Sequence, residues 1–117
     1  MNPAPIKPQI SIEDLDRVDI RVGTIDQVAD VPKSDKLVRL RVSFGDRVRT
    51  SLVGLKGERE HPSELEGRQA LFVVNLEPRR MVGEVSECML LDIGHADGIL
   101  PVLAVPQTPV PDGCRAG

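Results

Sequence analysis

The chain has 117 residues, enough for one domain and too few for two of ordinary size. Its formal net charge is −3, its isoelectric point is about 5.3, and its only aromatic residues are two phenylalanines. This composition disfavours a protein that coats nucleic acid indiscriminately, because such domains are usually basic. It equally disfavours one that holds single strands by stacking bases on aromatic rings.

The chain shows no signal for a membrane, an oxidising compartment or a metal. No apolar run reaches the ~20 residues of a membrane helix, and residues 1–9 lack the apolar segment of a secretory signal. We therefore expect a cytoplasmic protein without membrane contact. Cys88 and Cys114 are expected to stay reduced, since small domains that depend on disulfides usually carry more cysteines. No cysteine or histidine cluster predicts a metal site, and no cofactor is expected.

The first predicted elements are a tail, a short helix and a long strand. Residues 1–10 are assigned to the tail and residues 11–117 to a single domain. Ser11, followed by acidic residues, predicts the N-cap of a short helix that ends near Arg17. From there the hydrophobic period changes to two, which predicts a strand with a bend or bulge at Gly23.

A β-hairpin is the next predicted element, over residues 36–54. The alternation of apolar residues favours a three-residue loop over a two-residue turn, because it places Phe44 opposite Val48. The outer face of the hairpin would then carry Arg39, Arg41 and Arg49. Six basic residues lie in this segment of a net acidic chain: Lys33, Lys36, Arg39, Arg41, Arg47 and Arg49. Two interpretations stay open, a phosphate-binding face or a solvated face that protects a sheet edge.

The remaining pattern favours a small barrel. Within the polar segment 55–67, Pro62 or Ser63 predicts the start of a short helix that ends at Gly67. Residues 69–76 predict a buried strand, and residues 98–105 a strand at an edge or bend because of Pro101. Five or six strands with a helix between the third and fourth are typical of an all-β OB-fold. That fold is a five-stranded Greek-key barrel, here with short flanking helices, although other small barrels fit the same pattern.

The segment that follows the buried strand contains unusual polar residues. Asn75 ends that strand, so its amide needs partners, and it either ties two loops together or faces a ligand. Arg79 and Arg80 follow a proline, in a loop suited to phosphate contacts or to stacking under a base. Taken alone, however, this loop is better explained as an ordinary surface turn.

The strand predicted after that loop has a small polar face. Gly83 within it indicates a bulge or a close backbone approach, and Ser86 alternates with Glu84 and Cys88. Ser86 has no nearby histidine and no nucleophile elbow. The sequence therefore disfavours an enzyme.

These motifs together resemble the tRNA-binding domain family. The resemblance covers the chain from about Ile12 to its end, and the set of motifs is far more specific than any single one. The sequence is similar to stand-alone structure-specific tRNA-binding proteins, to the C-terminal domain of many methionyl-tRNA synthetases, and to CsaA-like export chaperones. The motifs are Asp19-Ile-Arg-Val-Gly23, Asp35-Lys36-Leu37, Gly67, the run from Asn75 to Gly83 with Pro78 and Arg79, Ser86-Glu87, and Met89.

The resemblance implies an OB-fold homodimer that binds tRNA by its shape, at the outer corner of the L, without catalysis. An aminoacyl-tRNA synthetase or an unfolded polypeptide is a further candidate partner, the latter in a CsaA-like chaperone. The family's binding positions correspond here to Lys36, Asn75, Arg79, Arg80, Met81, Ser86 and Met89. The face of the predicted hairpin adds Arg39, Arg41 and Arg49 as candidate RNA-binding residues.

Overall fold

The fold is known from a computed structural model, which describes residues 2–117. Residues 2–10 form no helix or strand and are exposed; Met1, also placed in the predicted tail, lies outside the described residues. The predicted N-cap is confirmed. The Oγ of Ser11 accepts a hydrogen bond from the backbone N–H of Asp14, and the Asp14 carboxylate accepts one from the N–H of Ser11. This reciprocal capping box starts helix α1 (Ile12–Asp16).

The strands form one main sheet and two short hairpins. The strands are β1 (Ile20–Asp30), β2 (Val38–Ser43), β3 (Val48–Val53), β4 (Gln69–Val73), β5 (Arg79–Met81), β6 (Glu84–Ser86), β7 (Met89–Leu90), β8 (Asp92–Ile93), β9 (Val102–Leu103) and β10 (Arg115–Ala116). In the main sheet the order is β3-β2-β1-β4-β7, with β10 added beside β1. The β5–β6 pair and the β8–β9 pair are separate two-stranded sheets.

The sheet curls into a nearly closed, five-stranded barrel, which confirms the predicted all-β OB fold. The free backbone edge of β3 meets the segment Ser86–Cys88. The N–H of Glu87 donates to the carbonyl of Thr50 at 2.8 Å, and the N–H of Leu52 donates to Ser86 Oγ at 3.0 Å. The Oγ of Ser51 donates to the carbonyl of Cys88 at 2.9 Å. The predicted helix between the third and fourth strands is present as a 3₁₀ turn (Pro62–Leu65).

The barrel interior is apolar and contains both aromatic residues. Phe44 and Phe72 pack edge to face, with ring centroids 5.6 Å apart. Leu65 of the 3₁₀ turn is buried in the same cluster. Gly23 faces this core, and a Cβ built on it would lie 2.6 Å from Val42 Cγ1, closer than real Cβ atoms come. Glycine is therefore needed here because core side chains occupy the space.

The register of the β2–β3 hairpin differs from the prediction. Phe44 donates its N–H to the carbonyl of Arg47, so the turn has two residues, and Arg49 rather than Thr50 lies opposite Val42. The hydrophobic pattern was misleading for two reasons. Ser51 lies on the core face, where its hydroxyl is satisfied by the Cys88 carbonyl. Leu52 points outward but is buried, because β6 packs beside β3.

A two-residue turn, Val82–Gly83, joins β5 to β6. Both residues have positive φ, 46° for Val82 and 81° for Gly83, as type I′ hairpin turns require. The prediction of a bulge or close approach at Gly83 within a strand was therefore wrong. A β-branched residue such as Val82 is strongly disfavoured at positive φ, where asparagine and glycine are preferred.

Replacing Val82 by Asn should therefore stabilise the protein. The expected gain in the free energy of unfolding is about 1 kcal/mol, because the short polar side chain of asparagine can hydrogen-bond locally in this region and the β-branched side chain of valine cannot. Urea denaturation of the wild type and the Val82→Asn variant measures it. Val85→Asn is the matched control, since Val85 lies in β6, where asparagine is unfavourable, and should lower stability. Equal or lower stability of Val82→Asn would contradict the assigned strain.

Candidate nucleic-acid interface

The outer face of β2 carries two of the predicted arginines. Arg39 Nη1 donates to Glu84 Oε1 at 2.8 Å, which fastens the β5–β6 hairpin to the barrel. Arg41 lies two residues further along the same face, opposite Thr50, and is exposed. It forms no ion pair within residues 2–117. Arg41 therefore presents an uncompensated charge beside the hairpin.

Arg49 does not belong to this outer face, contrary to the prediction. Its pairing with Val42 places it on the core-facing side of β3, at the end of the barrel. There its Nη1 donates to Glu87 Oε2 at 3.2 Å. The prediction failed because it assumed a three-residue loop, and a shift of one residue moves every side chain of a strand to the opposite face.

The mouth of the barrel holds further arginines that the sequence interpretation missed. A cavity of about 230 Å³ there is lined by Asp19, Arg21, Phe44, Asp46, Arg47, Arg49, Val74 and Asn75. Arg21 donates twice to Asp19, at 2.9 and 3.2 Å, and Arg47 donates twice to Asp46, at 3.2 and 3.1 Å. The hydrogen bonds and charge of Asp19 raise the pKa of Arg21, and those of Arg47 lower the pKa of Asp46. These arginines are already neutralised by carboxylates, so the mouth is poorly suited to a phosphate.

Arg79 and Arg80 lie on β5 of the projecting hairpin and are exposed. Arg79 is paired with Ser86 and Arg80 with Val85, so the two side chains leave opposite faces of the ribbon. Neither forms an ion pair within residues 2–117. They are therefore strand residues that extend to both sides of the hairpin, and the loop predicted for them is the β5 strand.

Lys36 lies in an exposed turn just before β2. The Oγ of Ser34 accepts the N–H groups of Lys36 and Leu37, at 3.2 and 3.0 Å. Lys56 supports this turn, because its Nζ donates to the carbonyls of Val31 and Ser34 at 2.9 and 2.6 Å. Of the two lysines, Lys56 is used internally and Lys36 is directed to solvent.

The polar groups of Asn75 and Ser86 are used within the protein. Asn75 Oδ1 accepts the N–H of Asp19 at 2.9 Å, and its Nδ2 donates to the carbonyl of Arg17 at 2.7 Å. Of the two alternatives left by the sequence, these bonds show that Asn75 ties two chain segments together. Ser86 is buried, and its Oγ accepts the Leu52 N–H and donates to the Cys88 carbonyl at 3.2 Å.

The two methionine candidates lie on the hairpin and on the strand that follows it. Met81 is half-buried at the end of β5, and Met89 is exposed on β7. Cys88 is buried between them in sequence, and burial raises the pKa of its thiol to about 11. This thiol stays protonated and unreactive at neutral pH.

The acids that organise this surface, Glu84 and Glu87, were not singled out from the sequence. Their partners Arg39 and Arg49 are 45 and 38 residues away along the chain. No local pattern distinguishes them from the other acidic residues. A hint lay in the Ser86-Glu87 pair of the family motif, whose physical role is the bonding to β3 described above.

A comparison with models of protein families shows to which family the chain belongs. The family model described as "Putative tRNA binding domain" matches residues 20–115. The chain belongs to the tRNA-binding domain family. The matched range includes every strand of the barrel and all ten candidate residues.

Curated relatives of this tRNA-binding domain are much longer proteins. The chain is 43% identical to the methionine–tRNA ligase of Porphyromonas gingivalis over 112 residues, which are 96% of the chain and 16% of the ligase. It is 40% identical to the methionine–tRNA ligase of Parabacteroides distasonis over 109 residues, again 16% of that protein. The chain therefore spans a small part of the length of these ligases.

Solved structures confirm the fold over nearly the full chain. A MetRS-related protein from Pyrococcus horikoshii superposes with a TM-score of 0.86 at 30% identity, covering 95% of this chain and 100% of that one. The chaperone CsaA from Bacillus anthracis superposes with a TM-score of 0.81 at 27% identity, covering 94% and 100%. Within residues 2–117, no helix is long and apolar enough to cross a membrane.

Replacing Ser86 by Ala tests its structural role. The variant leaves the buried N–H of Leu52 without its partner, so we expect the free energy of unfolding to fall by about 1–3 kcal/mol. Chemical denaturation measures the loss. Ser63→Ala, at an exposed serine of the 3₁₀ turn, is the matched control and should change little. Unchanged stability of Ser86→Ala would show that the bond to Leu52 does not hold the barrel closed.

Proposed function

We propose that this chain is a non-catalytic module that binds folded tRNA through its shape and its backbone. The observation that carries the proposal is the grouping of Arg41, Arg79 and Arg80, three exposed arginines without ion-pair partners in residues 2–117. They lie on the outer barrel face and on the hairpin fastened to it. Guanidinium groups in such an arrangement suit bidentate contacts with phosphates.

The candidate residues divide into two roles in this proposal. The contact surface consists of Lys36, Arg39, Arg41, Arg79, Arg80, Met81 and Met89. Within it, Glu84 partly neutralises Arg39. Asn75, Ser86 and Arg49 position the surface, because their polar groups are bonded within the protein. This division follows from the contacts of each side chain.

A folded RNA suits this surface better than a flexible single strand. Both phenylalanines are in the core, 4% and 0% exposed, so no aromatic ring is available to stack bases. Phosphates, 2′-hydroxyls and tertiary shape are what basic and polar groups can recognise instead. The names of the ligase relatives support tRNA as the ligand. We place the activity in the cytoplasm and regard a synthetase as a candidate partner.

A CsaA-like chaperone that binds unfolded polypeptide is the second candidate function. The likeness to the CsaA structure supports it, as does an exposed apolar segment near the C-terminus. This segment contains Ile93, Ile99, Leu100, Val102 and Val105, between 51% and 69% exposed. Such a surface is typical of a protein interaction site.

The arginine surface is tested by the salt dependence of tRNA binding. For Arg79→Ala, Arg80→Ala and the double variant, we expect each arginine removed to lower affinity for total tRNA roughly ten- to hundredfold. Each should also reduce the slope of log K against log salt concentration by about one. Fluorescence anisotropy at several salt concentrations measures both quantities.

The control is Arg68→Ala, because Arg68 is also exposed and unpaired in the described chain but lies beside the 3₁₀ turn. It should bind tRNA like the wild type. A wild-type affinity that barely changes with salt would contradict phosphate binding. Binding of a reduced, unfolded protein without any binding of tRNA would instead support the chaperone function.

A homodimer built by the chain ends is part of the proposal. Helix α1 buries none of its residues, and Ile12, Leu15 and Val18 are 64%, 52% and 43% exposed. They line a cavity of about 1010 Å³ together with the C-terminal residues 114–117. An apolar surface of this kind on a five-residue helix is best explained by contact with a second copy.

Charging this surface should separate the dimer. Sedimentation equilibrium is expected to give a dimer for the wild type and a monomer for Leu15→Asp, since a buried unpaired carboxylate strongly disfavours association. Glu13→Gln on the exposed helix is the control and should remain dimeric. A monomeric wild type at high micromolar concentration would overturn the assignment, as would an unchanged dimer for Leu15→Asp.

A further inference from the structure

The tip of the β5–β6 hairpin combines strain with apolar exposure. Val82 has a φ of 46° and is 43% exposed, at a turn position that asparagine or glycine would occupy without strain. The exposed side chain of Val82 therefore does not offset the cost of this unfavourable backbone conformation. Strained, exposed positions of this kind are found preferentially where a protein contacts a ligand.

The surroundings of Val82 extend the apolar tip. Val85 is 38% exposed and is paired with Arg80, so both leave the same face of the ribbon. Leu76, in the chain leading to the hairpin, is 50% exposed. Exposed aliphatic side chains are thus found together with the two unpaired arginines on the hairpin and in the chain leading to it.

We propose that Val82 packs directly against an exposed nucleobase face of the folded RNA, while Arg79 and Arg80 hold phosphates on either side. This inference rests on the proposed function and assigns Val82 as a shape-determining contact within it. RNA is the occupant favoured by charge complementarity, because the apolar tip directly follows the strand that carries two arginines without carboxylate partners in residues 2–117. Folded RNAs present unstacked bases at their loops, and aliphatic side chains are known to pack against bases.

The test separates the apolar contact from the phosphate contacts. Val82→Asn and Val82→Gly remove the isopropyl group in a backbone conformation that both residues accept. We expect affinity for total tRNA to fall roughly tenfold, in line with the loss of a buried aliphatic contact. The slope of log K against log salt should stay at the wild-type value, because no phosphate contact is lost. Arg80→Ala, by contrast, should change the slope.

Two further variants complete the experiment. Val82→Ile keeps an apolar β-branched side chain and should retain wild-type affinity. Val105→Asn replaces a valine that is 56% exposed outside the hairpin and should have no effect.

If the wild type and the Arg80→Ala variant behave as proposed but Val82→Asn binds like the wild type, the Val82 contact is wrong while tRNA binding stands. If the wild type does not bind tRNA, the proposed function itself fails. If Val82→Asn weakens the binding of an unfolded polypeptide but leaves tRNA binding unchanged, the hairpin tip binds protein instead.

Discussion

The arrangement of this molecule depends on how the edge of β3 is closed. A barrel with so short a β7 strand cannot complete a regular ladder, since β7 has two residues. Side chains complete it instead. Glu87 accepts the Thr50 N–H while its own N–H donates to the Thr50 carbonyl, and Ser86 accepts the next outward N–H of β3, that of Leu52. The outward N–H groups of Thr50 and Leu52 thus find acceptors, as a β-edge without a regular neighbouring strand requires.

The same closure of the barrel determines which arginines form ion pairs with carboxylates and which do not. Because Ser86–Cys88 is bonded to β3, the hairpin before it lies against the outer face of β2, where Glu84 meets Arg39. Glu87, held at the edge, meets Arg49 at the barrel mouth. The carboxylates brought in by closure therefore neutralise the arginines nearest to them. Arg41 on the barrel and Arg79 and Arg80 on the hairpin lie further out and have no carboxylate partner in residues 2–117.

The strands of this fold were predictable because their signal is local. Period-two alternation marked β1 and β2, a continuous apolar run marked β4, and Ser11 marked the start of α1. The register of β2 and β3 was not predictable from the same alternation. It depends on Ser51 being buried and satisfied by the Cys88 carbonyl, 37 residues away. In the site, the basic residue types were visible in the sequence, but their partners were not. Glu84 neutralises Arg39 only because the folded chain brings them together, and Arg49 changed face with the register.

The small number of free cations has a consequence for selectivity in the proposed function. The contact surface has four cations without ion-pair partners in residues 2–117: Lys36, Arg41, Arg79 and Arg80. They can release about four counterions per copy of the chain, a modest electrostatic contribution compared with proteins that make six to ten phosphate contacts. The net charge of −3 also opposes long-range attraction to any polyanion. A surface of this kind binds an arbitrary nucleic acid only weakly, because few phosphates are neutralised and phosphate contacts carry no sequence information. Affinity then requires that the cations and the apolar hairpin tip engage at the same time, which demands a ligand of fixed shape. The acidic composition, which disfavours indiscriminate coating of nucleic acid, is thus compatible with binding that is selective for a folded RNA.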